Sequence, residues 1–167
     1  MYKNAYADET IYITDTASVN YADEPWYGGD KTILVNAAMV SAAYIRLPEA
    51  TTANAGLHIK LVYGLSPAAA HVVGFVTTAI VGGASTVSDA TEGVAANSAV
   101  VSSAVGTANN RVELDVDEDV RAGGYPGTVL DFWYTGVADV VLYHGSLIGD
   151  VDTPTLASHF STTAVNA

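Results

Sequence analysis

The chain has 167 residues, half of them hydrophobic and none of them cysteine, with 18 acidic side chains against six basic ones for a net charge of -12. That length suits one domain able to bury about two-thirds of the surface of its unfolded chain. The acidic balance argues against nucleic acid and anionic membranes as partners, since both are bound mainly through cations, and the lack of cysteine removes disulfides and thiolate chemistry.

Only 14% of the residues are charged, and Ala and Val carry much of the apolar share. A packed, β-rich body with a surface of small residues is expected from this balance. No apolar h-region opens the chain, and no run approaches the roughly 18 apolar residues of a membrane span, so neither a cleaved signal nor a span is expected.

Residues 1–30 read as an N-terminal arm. Thr10 to Thr14 (TIYIT) is a short strand candidate with polar, acidic flanks. Tyr2, Tyr6, Tyr12, Tyr21, Trp26 and Tyr27 give this segment many aromatics without regular periodicity. Large amphipathic rings on an extended segment suit packing onto another surface. That surface is either a neighbouring subunit or the domain's own sheet, with the segment folded back as a terminal strand.

Residues 31–149 read as a β-sandwich body. Lys31 to Asn36 is a strand after the Gly28-Gly29-Asp30 turn. Tyr44 to Leu47 alternates at period two until Pro48, which has no N–H to donate, ends the ladder. From Leu57 alternation resumes, with Leu57, Ile59, Leu61 and Tyr63 on one face and His58, Lys60 and Val62 on the other. His71 to Gly82 is the longest β-branched run, expected as a central strand or as two joined at a bulge near Thr77-Thr78. Residues 84–109, built from Ala, Ser, Val, Thr and Gly, read as a long exposed excursion with at most a strand or a helical turn.

Order returns at Asn110 to Glu118, where Val112, Leu114 and Val116 alternate against Arg111, Glu113, Asp115 and Asp117. Thr128 to Gly136 and Ala138 to Gly149 form a closing hairpin about Gly136-Val137. Residues 150–167, polar with isolated Leu156 and Phe160, read as a C-terminal arm. About eight strands, Gly/Pro/Asn turns and almost no helical period predict an all-β fold: an antiparallel, jelly-roll-like β-sandwich with extended arms.

Motifs for chemistry are sparse. His58, His71, His144 and His159 stand alone, without the paired spacing of a metal-binding helix. Asp115, Asp117 and Asp119 imitate the start of a calcium loop, but Val120 occupies the glycine place and no glutamate closes the loop. No G-x-S-x-G elbow occurs, and neither Gly28-Gly29 nor Gly82-Gly83 opens a helix to cradle phosphate. Asp131 beside Trp133 is the arrangement that can mark a sugar site, though a sheet core or interface also accounts for it. No enzymatic activity, cofactor or metal is expected. The residues expected to bind or form interfaces are Tyr12, Trp26, Tyr27, Trp133, Tyr134, Leu156 and Phe160.

The run LPEATTANAGLHIKLVYG (Leu47 to Gly64) resembles a strand-loop-strand of tailed-bacteriophage virion β-sandwich proteins. PGTVLDFWYTGVADVVLYHG (Pro126 to Gly145) is similar to the closing hairpin of those chains, with Val140 or Val141 where they often carry Trp. The resemblance implies a structural virion protein, most simply a capsid decoration (cement) protein. It would be assembled onto the particle in the host cytoplasm and bind the major capsid protein or another virion protein. It also implies a homo-oligomer, often a trimer, with no catalytic residues. The alternative is a glycan-binding adhesin module of a head fibre or tail.

Overall fold

A computed structural model of the chain describes residues 9–22, 26–89, 99–102, 109–114, 123–149, 160–161 and 165. Period-two alternation has the outcome that physics requires in the middle of the chain. Leu57, Ile59, Leu61 and Tyr63 are buried, while His58, Lys60 and Val62 reach the outer surface.

Among the described residues twelve strands form two sheets: β1 (Glu9–Ile13), β2 (Val19–Asn20), β3 (Gly29–Val35), β4 (Tyr44–Arg46), β5 (Leu57–Tyr63), β6 (His71–Gly74), β7 (Ala79–Asp89), β8 (Ala99–Ser102), β9 (Arg111–Leu114), β10 (Val129–Tyr134), β11 (Val140–Gly149) and β12 (Phe160–Ser161). The large sheet runs β1-β3-β5-β10-β11-β7-β8 and the small one β12-β9-β6-β4-β2. One apolar core, drawn from both sheets, lies between them: Ile33, Leu57, Ile59, Leu61 and Phe132 meet Ile45, Val73, Val112 and Leu114. Each large side chain buried there contributes roughly 1.5–3 kcal/mol relative to exposure.

The fold is all-β and two-layered, as expected, but its winding is not that of a simple antiparallel sandwich. From β1 to β7 the chain changes sheet at every step. Strands two apart therefore become parallel neighbours: β1 with β3, β3 with β5, β2 with β4, and β4 with β6. Parallel neighbours need a long crossover, and here the intervening strand of the opposite sheet supplies it. Antiparallel pairing dominates later, in β5-β10, β10-β11, β7-β8 and β6-β9.

Several segments sharpen or depart from the sequence reading, and for the first the structure shows one of the two placements left open. Of residues 1–30, the described part folds back onto the sandwich: Ile13 is buried and β1 forms an edge of the large sheet. The run His71 to Gly82 is two strands in different sheets, because the chain crosses between layers over Phe75–Thr78. Residues 84–89 continue β7 and 99–102 pair back on it, so the expected excursion begins as a hairpin; residues 90–98 and 103–108 lie outside the described part. The closing hairpin turns over five residues, Thr135–Asp139, with positive φ at Gly136 and Asp139.

The crossing at Phe75–Thr78 is held by the carboxylate of Glu49. Its Oε1 accepts the Val76 N–H at 2.8 Å. Its Oε2 accepts the Thr77 N–H (3.1 Å), the Thr78 N–H (2.7 Å) and both threonine hydroxyls (2.9 and 2.7 Å). Burial pushes this acid up, yet the bonds from Val76, Thr78 and Thr77 outweigh it and hold the carboxyl below its ordinary value. The neighbouring residues close the same end: the Pro48 carbonyl accepts the Tyr134 hydroxyl at 2.8 Å, and Asn54 bonds the backbone of Glu49 and Thr51. Gly74 lies just before the crossing, where a Cβ would collide with the backbone of Asn110 and Arg111.

Candidate functional site

The outward face of the large sheet is ordered in rows, because register places every second residue of adjacent strands side by side. The first row is Asp30, His58, Trp133 and Leu142 on β3, β5, β10 and β11. The second is Thr10, Thr32, Lys60, Asp131 and His144, beginning on β1. The third is Tyr12, Leu34, Val62, Val129 and Ser146. Successive rows are about 6.7 Å apart, two residues of strand rise.

At the first row the side chains are locked together. His58 Nδ1 lies 3.2 Å from Asp30 Oδ1, and its Nε2 lies 2.8 Å from Asp131 Oδ1. The indole of Trp133 stacks on this imidazole with ring centroids 4.9 Å apart and planes 2° from parallel. The two carboxylates differ in access: the Asp30 side chain is 67% exposed, that of Asp131 12%. Trp133 remains 39% exposed and Leu142, its register partner on β11, 44% exposed. Lys60 lies opposite Asp131 in register and is in no ion pair among the described residues.

The third row is different in kind. Tyr12 is 64% exposed on edge strand β1, and Leu34, Val62 and Val129 continue an apolar line inward from it. Strand β1 is terminal in the sheet order, so its far edge is unpaired among the described residues.

The residues expected to bind separate cleanly. Tyr12, Tyr27 and Trp133 are exposed. Trp26 is partly buried, packed against the core and against Tyr21 at 5.2 Å. Tyr134 and Phe160 are corrected: both point inward. Adjacent residues of a strand face opposite ways, so Tyr134 cannot share the surface of Trp133; it is buried with its hydroxyl on Pro48. Phe160 is buried edge-on to Tyr143 at 5.3 Å. Burial raises the Tyr134 phenol well above its ordinary value, with the Glu49 charge adding to the effect. Tyr63 and Tyr143 are likewise raised by burial and bonded inside, to His71 Nε2 (2.8 Å) and Ser85 Oγ (2.9 Å). Leu156, His159, Asp115, Asp117 and Asp119 lie outside the described residues, as do Tyr2 and Tyr6.

Sequence reasoning missed the union of Asp30, His58 and Asp131. The parity of His58, Asp131 and Trp133 was readable, since each occupies the polar phase of its strand. Their register was not, because 73 positions separate His58 from Asp131. Among the described residues no group of three or more His, Asp or Glu side chains is arranged so that it could hold a metal ion. Compared with protein-family models, curated proteins and solved structures, the chain matches none.

Proposed function

We propose that the chain is a non-catalytic structural protein of a tailed-phage particle, a capsid decoration subunit that binds the shell and its own copies through the outer face of the large sheet. The observation that supports this reading is the third row. An apolar line of Tyr12, Leu34, Val62 and Val129 runs across four strands on a solvent face and ends at a strand edge that is unpaired among the described residues. Apolar side chains beside unpaired backbone donors and acceptors suit burial against another protein, by sheet-face packing or by strand addition. The resemblance of Leu47–Gly64 and Pro126–Gly145 to virion sandwich chains points the same way. A net charge of -12 suits a cationic partner surface. The expected assembly is a homo-oligomer, with a trimer implied by the resemblance, on the major capsid protein.

The test is the copy number of this chain relative to the shell protein on purified particles, together with the variant Tyr12→Asp. A copy number comparable with that of the shell protein, and loss of particle association in the folded variant, are expected. A few copies per particle would assign the chain to a fibre or tail. Its absence from particles would end the proposal.

A further inference from the structure

We infer that Asp30, His58, Asp131 and Trp133 form a binding site for a neutral saccharide, separate from the apolar row assigned to protein contact. The first and third rows lie on the same face with a polar row between them. The inference does not rest on the virion reading, because the site belongs to the folded domain alone.

The geometry is that of a prepared platform. An exposed tryptophan on a sheet ordinarily samples several rotamers, and fixing it on binding costs free energy. Here one face of the indole lies flat on the imidazole, and the imidazole is held at both nitrogens by carboxylates. The ordering cost is met within the fold, before any ligand arrives. The site presents an aromatic ring, with Leu142 as its next neighbour across the strands. Hydrogen-bonding groups lie on two sides. The exposed Asp30 carboxylate is beyond His58 in the same row. Thr32, Lys60 and His144 stand in the row behind, around Asp131.

An aromatic plane beside acceptors and donors matches a pyranose ring. Its C–H face packs on the indole, and its hydroxyls donate to carboxylate and accept from ammonium or hydroxyl. Charge narrows the class. The two carboxylates, Asp30 and Asp131, stand near one ammonium, Lys60, so the site has no excess of positive charge to hold an anion. An anionic sugar is disfavoured by the overall charge of -12. A quaternary ammonium needs aromatic faces around it, and here the imidazole already covers one face of the only indole in the row. The row continues across β3, β5, β10 and β11, so an oligosaccharide can lie across the strands and use more than one position.

The experiment is titration of the full chain with maltohexaose, cellohexaose and chitohexaose, followed by tryptophan emission and calorimetry. Polygalacturonate and tetramethylammonium are the charged controls. Saturable binding of at least one neutral oligosaccharide is expected, weakened at least about tenfold in Trp133→Ala, as for loss of an aromatic anchor. His58→Gln, which removes the imidazole stacked on the indole, should weaken it as well, whereas Tyr12→Ser should leave it unchanged. Circular dichroism of each variant confirms the fold. The inference is overturned if none of the three neutral probes binds, if binding survives Trp133→Ala, or if only a charged control binds. Loss of binding in Tyr12→Ser with Trp133→Ala unaffected would also overturn it, and would move the site to the apolar row.

Discussion

Two carboxylate networks in this protein are built from similar parts and end in opposite states. At the Phe75–Thr78 crossing, one acid, Glu49, receives five donors from three consecutive residues. On the outer sheet face, two acids, Asp30 and Asp131, share a single imidazole. The first network is saturated: its donors are mostly backbone N–H groups, freed from sheet pairing where the chain leaves one sheet for the other. The second keeps spare acceptor capacity, on a side chain that faces solvent. A satisfied polar cluster rigidifies a fold, and one with unspent capacity beside an exposed ring can bind something else. The balance of donors and acceptors, more than the presence of charge, separates a structural joint from a site.

The contrast is broken most directly at Glu49. Replacing Glu49 by Ala removes the charged acceptor from the Val76, Thr77 and Thr78 N–H groups, of which Thr78 is buried and Thr77 faces solvent, and should cost about 2 kcal/mol, the scale of a hydrogen bond to a charged group. Urea unfolding followed by far-UV circular dichroism measures it, and a loss below about 1 kcal/mol, the value of one ordinary hydrogen bond, would show the joint to be dispensable. Acid gives an independent check. The carboxyl is held below its ordinary value of 4.5 in the folded chain. Its contribution is therefore complete above that value and declines as pH falls through the lower folded value. The stability gap between the native protein and Glu49→Gln should be constant at neutral pH and narrow in acid. A gap that widened in acid would contradict the direction of the shift.

A smaller effect is expected where the same end of the sandwich is closed by a neutral bond. Tyr134→Phe removes the hydroxyl that donates to the Pro48 carbonyl and leaves the ring in the core. The expected loss is about 1 kcal/mol, one neutral buried hydrogen bond with its acceptor left unpaired. Unlike the Glu49 variants, it should not depend on pH in the acid range, since burial keeps this phenol protonated throughout.

How much of this was readable beforehand follows from which interactions are local. The strands at Leu57–Tyr63 and Val129–Tyr134 stand in the sequence as period-two alternation, because burial on one face acts on each strand separately. The inward turn of Tyr134 was readable by the same parity, but its proximity to Trp133 in sequence drew the two together as one aromatic surface. The His71–Gly82 run hides a change of sheet, because β-branched residues suit either layer and the carboxylate that holds the crossing is 27 or more positions upstream. The parallel winding of β1 to β6 had no local signature at all, since pairing partners there are strands two apart with a strand of the other sheet between them. The site at His58 needs three strands in register, and register is settled by the packed whole.

The smallest stability effect should fall on the residue with the largest consequence for binding. Trp133 is 39% exposed; it stacks across strands on His58 and has Leu142 as its register partner on the other side. Such a pair contributes about 0.5 kcal/mol in a sheet, so Trp133→Ala should move the urea midpoint only slightly. Were the platform simply a stabilising patch, its removal would cost more than Tyr134→Phe, and saccharide titrations would be flat in both proteins. If instead stability barely changes while binding disappears, the imidazole stacked on the indole and the two carboxylates that hold that imidazole act in binding at the exposed ring, because the cluster adds little to folding.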